Sequence, residues 1–127
     1  MQTHNPSPLG ADLDRGRVLA KAVLNASVEL GLSQKELGEI IGLSESMVSR
    51  RLKSGDLSLS GVSFNLAAYL VRVFRSLDAI AGGDRETMLG WMSNPNLDLG
   101  GPPRALIRTP AGLVDTMNYL DARRAPT

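Results

Sequence analysis

Apolar residues recur at three- and four-residue steps through most of this chain, the spacing that lines one face of an α-helix. The first series predicts a helix with one buried stripe, beginning near Asp12 and ending at Gly31. The stripe consists of Leu13, Val18, Leu19, Ala22, Val23, Ala26 and Leu30. No alternating stretch is long enough to build a sheet, and no repeat has a solenoid period. The sequence therefore predicts an all-α fold.

Length and composition exclude several classes of function. With 127 residues, the chain can form one modest core or two very small ones. The absence of cysteine excludes disulfides, thiolate metal sites and a cysteine nucleophile. The single histidine, His4, cannot supply a metal-binding cluster. Because clustered carboxylates and a phosphate-cradling glycine loop are also missing, we expect no enzyme activity, cofactor or metal.

Charge and the N-terminal segment bear on partners and location. The net charge is +1, so affinity for nucleic acid has to come from a local basic patch. Met1–Gly10 lacks the features of a signal peptide, and no apolar stretch approaches the roughly 18 residues of a membrane span. We therefore expect a cytoplasmic protein. Residues 1–11 contain two prolines and little apolar material, which predicts a disordered tail.

The segment Leu32–Gly55 has the spacing of a helix-turn-helix. Ser33 and Glu36 form a capping-box pattern at the start of its first helix, and Gly42 permits a left-handed residue at its end. Ser44 is then placed to cap a second helix that extends to about residue 53. The predicted buried seam consists of Leu37, Ile40, Ile41, Leu43, Val48 and Leu52. Residues 12–60 are therefore predicted to form a helix-turn-helix domain.

The outer face of the second motif helix is polar and weakly basic, as expected for contact with DNA. Residues 44–55 carry three cations and one acid, a net charge of +2. The predicted DNA-binding residues are Gln34, Lys35, Ser44, Glu45, Ser46, Ser49, Arg50 and Lys53. Because a weakly basic face gives modest affinity per subunit, we expect a dimer on two half-sites about one DNA turn apart. A plain helical hairpin with solvated arginines remains the alternative.

Residues 61–127 are predicted to form a second helical region, which is also expected to mediate dimerisation. The longest helix of the whole chain is expected here, at Phe64–Ala81, after an extended linker or helix start around residues 57–62. Asp84 is placed to cap a helix to about Met92, and Thr109 with Pro110 to begin the last one. The glycine- and proline-rich stretch Leu97–Pro103 predicts a loop.

Two resemblances fit these halves. The first half resembles the Xre family of helix-turn-helix proteins, from Ser33-Gln34 through Gly38 and Gly42 to Arg50-Arg51, although that family usually has alanine at the position of Gly38. The second half, from about Ala81 to Ala122, looks like the toxin-binding region of the Xre/MbcA/ParS antitoxins. That resemblance is carried by Trp91-Met92-Ser93-Asn94-Pro95-Asn96, Leu99-Gly100-Gly101-Pro102-Pro103, Leu106, Thr109-Pro110-Ala111-Gly112 and Tyr119-Leu120.

The resemblance implies the antitoxin of a type II toxin–antitoxin pair. Such a protein would neutralise a RES-type, NAD-consuming toxin, or a related ADP-ribosylating one, and would repress its own promoter, as a homodimer within a larger complex. The predicted toxin-binding residues are Leu99, Pro102, Pro103, Arg104, Arg123 and Arg124. Several alternatives stay open: a stand-alone transcriptional regulator, arginines that serve only the helix dipole, and Trp91 as a partner anchor rather than the favoured core residue.

Overall fold

The computed structural model describes residues 8–124 and is built from seven helices in that range. No strand occurs in it; one isolated antiparallel bridge joins Asn96 and Gly101. The all-α prediction is confirmed. The helices are α1 (Pro8–Glu29), α2 (Gln34–Ile41), α3 (Glu45–Met47, continued by a π-helical segment, Val48–Leu52), α4 (Gly61–Ile80), α5 (Arg85–Ser93), α6 (Pro103–Leu106) and α7 (Pro110–Arg124).

Helix α1 differs from its prediction at both its start and its exposed face. It begins at Pro8 instead of near Asp12, so the predicted disordered tail holds for none of residues 8–11, while residues 1–7 lie outside the described range. The expected stripe is wrong at Leu13 and Val18, which are 41% and 70% exposed. Since successive helical residues turn by 100°, Val18 lies about 140° away from the buried Val23. Val18 therefore lies on the solvent-facing side of α1.

Two other helices also differ from expectation. Helix α4 starts at Gly61 and has 20 residues, so α1, with 22, is the longer of the two. The four-residue helix α6 was not predicted; it begins at Pro103, whose ring holds φ near the helical value and whose missing N–H costs nothing in a first turn. The predicted caps are confirmed, since Asp84 accepts the N–H of Glu86 and Thr109 accepts that of Gly112.

A single apolar core connects the two halves. Helix α4 packs against α1 on one side and α7 on the other and also contacts α2. Its fully buried Leu70 and Val73 belong to the same cluster as Val23 of α1 and Leu113 of α7. The domain boundary at residues 60/61 stays a prediction, but α4 gives the halves a shared support. None of the described helices combines the length and apolar character required to cross a membrane.

Candidate nucleic-acid interface and partner surface

The first motif helix, α2, is capped at both ends by its own residues. Ser33 Oγ accepts the Glu36 N–H at 3.1 Å, and Glu36 Oε1 accepts the Ser33 N–H at 3.0 Å, which completes the predicted capping box. Gly42 ends the helix with φ +78° and donates its N–H to the Gly38 carbonyl. A residue with a Cβ is strained in that conformation, so Gly42 fits the turn as predicted.

The turn brings α2 close to the start of α3. A Cβ built at Gly38 would lie 2.5 Å from the carbonyl oxygen of Leu43, so only glycine fits where α2 passes the turn. Ser44 Oγ then accepts the Met47 N–H at 3.1 Å and caps α3. The seam between the helices is buried as predicted, apart from Leu43, which is half-buried.

The second motif helix widens where its polar face is most basic. The N–H of Lys53 donates to the carbonyl of Val48, five residues earlier, at 3.2 Å, and so closes a π-helical turn. Val48 and Leu52 stay buried at its two ends while Ser49, Arg50 and Arg51 between them are exposed. Single π-turns within helices are often found at functional sites. This one lies within the polar face expected to contact DNA.

Most of the predicted DNA-binding residues lie on this outer surface. Ser44, Glu45, Ser46, Ser49, Arg50 and Lys53 are exposed around α3, Lys35 is exposed at the start of α2, and Gln34 there is half-buried. The hydroxyl of Ser49 donates to the Ser46 carbonyl at 3.2 Å. Within residues 8–124, the cationic groups of Arg50, Arg51 and Lys53 have no ion-pair partner. These three groups can therefore meet an external anion without breaking an internal contact.

Two ion pairs join the helix-turn-helix to the second half. Arg104 of α6 holds Glu36 through two hydrogen bonds, Nε to Oε2 at 2.8 Å and Nη2 to Oε1 at 2.6 Å. Arg108 contacts Glu39 Oε2 through Nη2 at 2.5 Å and Nε at 2.6 Å. Sequence reasoning missed both pairs, and it treated Arg104 as a cation offered to a partner. The structure gives that guanidinium an internal carboxylate partner and leaves its side chain partly exposed.

The Arg104 contact changes the titration of Glu36. Its hydrogen bonds lower the pKa of the carboxyl from 4.5 to about 2; burial opposes the shift, and the Ser33 N–H adds to it. The hydrogen bonding to Glu36 in turn raises the pKa of Arg104. Glu36 therefore serves α2 twice, as the second member of the capping box and as the anchor for α6.

The loop after α5 is a tight, internally bonded turn. The N–H of Asn96 donates to the Gly101 carbonyl at 3.0 Å, and the Asn96 carbonyl accepts the Gly100 N–H at 2.9 Å. Asn96 Oδ1 also accepts the Leu99 N–H at 3.1 Å. Leu97, at the tip of this turn, is 97% exposed. A rigid loop therefore presents an apolar side chain that sequence reasoning did not select.

Aromatic and charged side chains surround the base of this turn. Tyr119 of α7 donates its hydroxyl to Asp98 Oδ2 at 2.9 Å, and Arg123 Nη2 lies 3.3 Å from the same oxygen. The Arg123 guanidinium lies 3.7 Å from the centroid of the Tyr119 ring, which stacks on Trp91 with centroids 6.4 Å apart. Trp91 packs against the core, as predicted, and keeps part of its surface exposed.

The predicted toxin-binding residues do not all reach one surface. Leu99 and Pro102 are half-buried, and Arg123 and Arg124 are exposed at the end of α7. Pro103 is buried beneath α6, because its ring forms part of the packing there, so its side chain is not offered to a partner. The exposed part of this region is the turn around Leu97 together with Arg123, which lies over the half-buried Tyr119.

Comparison with known protein families gives two matches. Residues 10–72 match the model of the antitoxin Xre-like helix-turn-helix domain. Residues 76–125 match the model of the antitoxin Xre/MbcA/ParS C-terminal toxin-binding domain. A search of curated proteins found no match. The two matches meet near the middle of α4, the helix that packs against both halves.

Proposed function

The chain belongs to the Xre-type antitoxins, and from this membership we propose that it binds promoter DNA with α3 and a cognate toxin with the surface around Leu97. The observation that carries the proposal is the presence of both domains of such an antitoxin in one chain. A protein that binds promoter DNA in this way is expected to act in the cytoplasm. We extend the proposal to a RES-type, NAD-consuming toxin, in line with the resemblance of the second half.

The outer face of α3 supports DNA binding through its free cations. Arg50 and Lys53 are exposed on a helix whose opposite side, Val48 and Leu52, is buried in the core. A helix anchored in this way can enter the major groove with its polar side chains toward the base edges. The net charge of +2 on residues 44–55 is small, so two copies acting together are needed for tight binding.

A dimer is supported by an apolar groove between α1 and α4. The groove has a volume of about 400 Å³, and Val18, Leu19, Phe64 and Val71 contribute its apolar lining. Val18 is 70% exposed in the isolated chain. A second copy covering this groove would bury that surface and bring two recognition helices into one particle. Binding of such a dimer at its own promoter would make the antitoxin an autorepressor.

Arg50 tests the DNA half. For an Arg50 that reads a base, we expect Arg50→Ala to weaken binding to a duplex from the protein's own promoter by about 1–3 kcal/mol, the contribution of a bidentate arginine–guanine contact. Titration of a labelled promoter duplex measures the loss. A library of single-base variants then separates the two roles: a loss at one position identifies base readout, and a uniform loss identifies a phosphate contact. Unchanged affinity would remove Arg50 from the interface.

Leu97 supports toxin binding because it is both exposed and held in place. Its turn is closed by hydrogen bonds within residues 96–101, so little conformational entropy is lost when a partner covers it. Tyr119 and Arg123, joined to the same turn through Asp98, add the aromatic and cationic groups that are enriched in interfaces. This surface is suited to an apolar pocket with a polar rim on the toxin.

Co-expression with the product of the neighbouring gene tests the antitoxin proposal. Growth rescue and co-purification with the tagged chain would support it, and a harmless neighbour that forms no complex would favour a stand-alone regulator. We expect Leu97→Asp to weaken the complex about tenfold because it places a charge at the centre of an apolar contact. Val62→Asp is the matched control, since Val62 is 72% exposed on α4 outside the proposed surface. Equal affinity of the two variants would contradict the role of Leu97.

A further inference from the structure

A second groove, this one lined by cations, lies beside α3, the recognition helix, and includes residues of α1. It has a volume of about 560 Å³ and is bounded by α1 on one side and by the end of the π-helical segment on the other. Three cations line it: Arg17 and Lys21 from α1, and Lys53 from the end of the motif. The remaining lining comes from the apolar Val18, Leu24 and Leu52 and from the turn at Ser54 and Gly55. Neither α1 cation was among the predicted DNA-binding residues.

The cations in this groove are poorly neutralised by the protein itself. Arg17 and Lys21 are four residues apart, so they are neighbours on one face of α1, where like charges are destabilising. Arg17 has one acidic neighbour, Asp14, at 3.8 Å, and both side chains are more than half exposed. Within residues 8–124, Lys21 and Lys53 have no ion-pair partner. An external anion would relieve the repulsion among these groups.

The shape of the groove favours an extended anion. Apolar residues line the groove beside its lysines, and such residues can support the aliphatic stem of a lysine while its ammonium group stays in solvent. At one end the turn is open, since a Cβ built at Gly55 would meet no atom within 4 Å. Lys53 belongs both to this groove and to the polar face of the recognition helix. A DNA strand whose bases face Ser49 and Arg50 can therefore continue its backbone toward α1.

We propose that this groove binds the DNA phosphate backbone and that Arg17 and Lys21 of α1 are phosphate contacts that extend the footprint beyond the two motif helices, α2 and α3. The proposal rests on the DNA-binding function proposed above. It assigns no base readout to Arg17 and Lys21, because they lie on α1 and not on the outward face of α3. The contacts are therefore independent of sequence and sensitive to salt.

The test is a salt titration of DNA affinity with the full chain. Arg17→Gln, Lys21→Gln and the double variant are compared with wild type on the promoter duplex and on a scrambled duplex of equal length. For each bound protomer, a single substitution is expected to lower affinity about 3- to 10-fold near 0.1 M salt on both duplexes and to reduce the slope of log affinity against log salt by about 1. Arg124→Gln is the matched control: it removes the same charge from an exposed site at the end of α7.

The outcomes separate this inference from the proposed function. In one outcome the wild type binds DNA, and Arg17→Gln and Lys21→Gln leave the salt slope unchanged, as Arg124→Gln does. This result would overturn the proposed phosphate contacts in the groove and leave DNA binding by α3 intact. A loss restricted to the promoter duplex would also overturn it, because a phosphate contact cannot distinguish the two sequences. Failure of the wild type to bind either duplex would overturn both proposals. Thermal unfolding of each exposed-site variant should match wild type, which confirms that the fold is unchanged.

Discussion

Replacing Gly112 with alanine is expected to lower the free energy of unfolding by about 2–3 kcal/mol, the cost of forcing extra volume into a closely packed site. A Cβ built at Gly112 would overlap the backbone carbonyl oxygen of Leu106, the last residue of α6. A carbonyl cannot swing aside as the end of a flexible side chain can. The strain therefore has to move α6 away from α7. Chemical denaturation followed by circular dichroism measures the loss.

The same substitution is also expected to weaken toxin binding. Gly112 lies in the first turn of α7, where its N–H donates to Thr109 Oγ1 at 3.1 Å, and α7 carries both Tyr119 and Arg123 farther along. A change in the angle between α6 and α7 displaces those side chains relative to the Leu97 turn. Affinity for the co-expressed toxin should therefore fall together with stability, while affinity for promoter DNA per folded molecule should change little.

Gly90→Ala is the control for this prediction. Gly90 is also a helical glycine of the second half, but the nearest atom to its Cβ would be the side-chain nitrogen of Asn94, at an ordinary 3.9 Å. Alanine there is expected to be neutral or to stabilise α5 by up to about 1 kcal/mol, because it has the higher helix propensity. A Gly112→Ala protein as stable as the Gly90→Ala protein would show that α6 and α7 do not approach as closely as described.

Glu36→Gln is expected to destabilise the protein by about 2 kcal/mol at neutral pH, in the range of a hydrogen bond to a charged group. Glutamine can still accept the Ser33 N–H and complete the capping box, so the substitution removes the charge without removing the cap. The substitution weakens the two-bond contact between residue 36 and Arg104. The Glu36 side chain in this contact is only 16% exposed. Solvent at the half-exposed arginine keeps the effect below that of a fully buried pair.

The effect of Glu36 should disappear in acid. The pKa of its carboxyl falls from 4.5 to about 2 on folding, so the folded state favours the ionised form. A lowered pKa contributes stability that is fully present above the ordinary value and is lost as the pH falls through the interval from about 4.5 to about 2. The difference in unfolding free energy between wild type and Glu36→Gln should therefore shrink across that interval. Denaturation at a series of pH values measures it.

Glu39→Gln supplies the comparison for this second prediction. Its partner is Arg108, in the same region as Arg104, but both side chains are at least a third exposed, and an exposed pair contributes about 0–1 kcal/mol. Glu39→Gln should therefore cost clearly less than Glu36→Gln at neutral pH. Equal costs for the two variants, or a Glu36 effect that persists undiminished at pH 2, would contradict the assigned role of the Arg104 contact.

The features predicted correctly are those that depend on residues within about four positions of each other. Ser33, Ser44, Asp84 and Thr109 cap their helices because the accepting oxygen and the donating N–H belong to the same turn. The apolar spacing of α2 and α3 identified the buried seam in the same way, and with it the polar face around Arg50. The family resemblance of both halves also came from the sequence and is confirmed by the two domain matches.

Packing between distant segments decided the rest. Glu36 and Arg104 are 68 positions apart, and no local rule indicates that α6 will lie against α2 and neutralise the arginine expected to face a partner. The exposure of Val18 and the grooves on the two sides of α1 likewise depend on which faces the shorter helices cover. Hydrogen bonds within a turn are determined by neighbouring residues. Ion pairs, grooves and exposed anchors such as Leu97 depend on where the helices lie relative to each other, which the shared core around α4 determines.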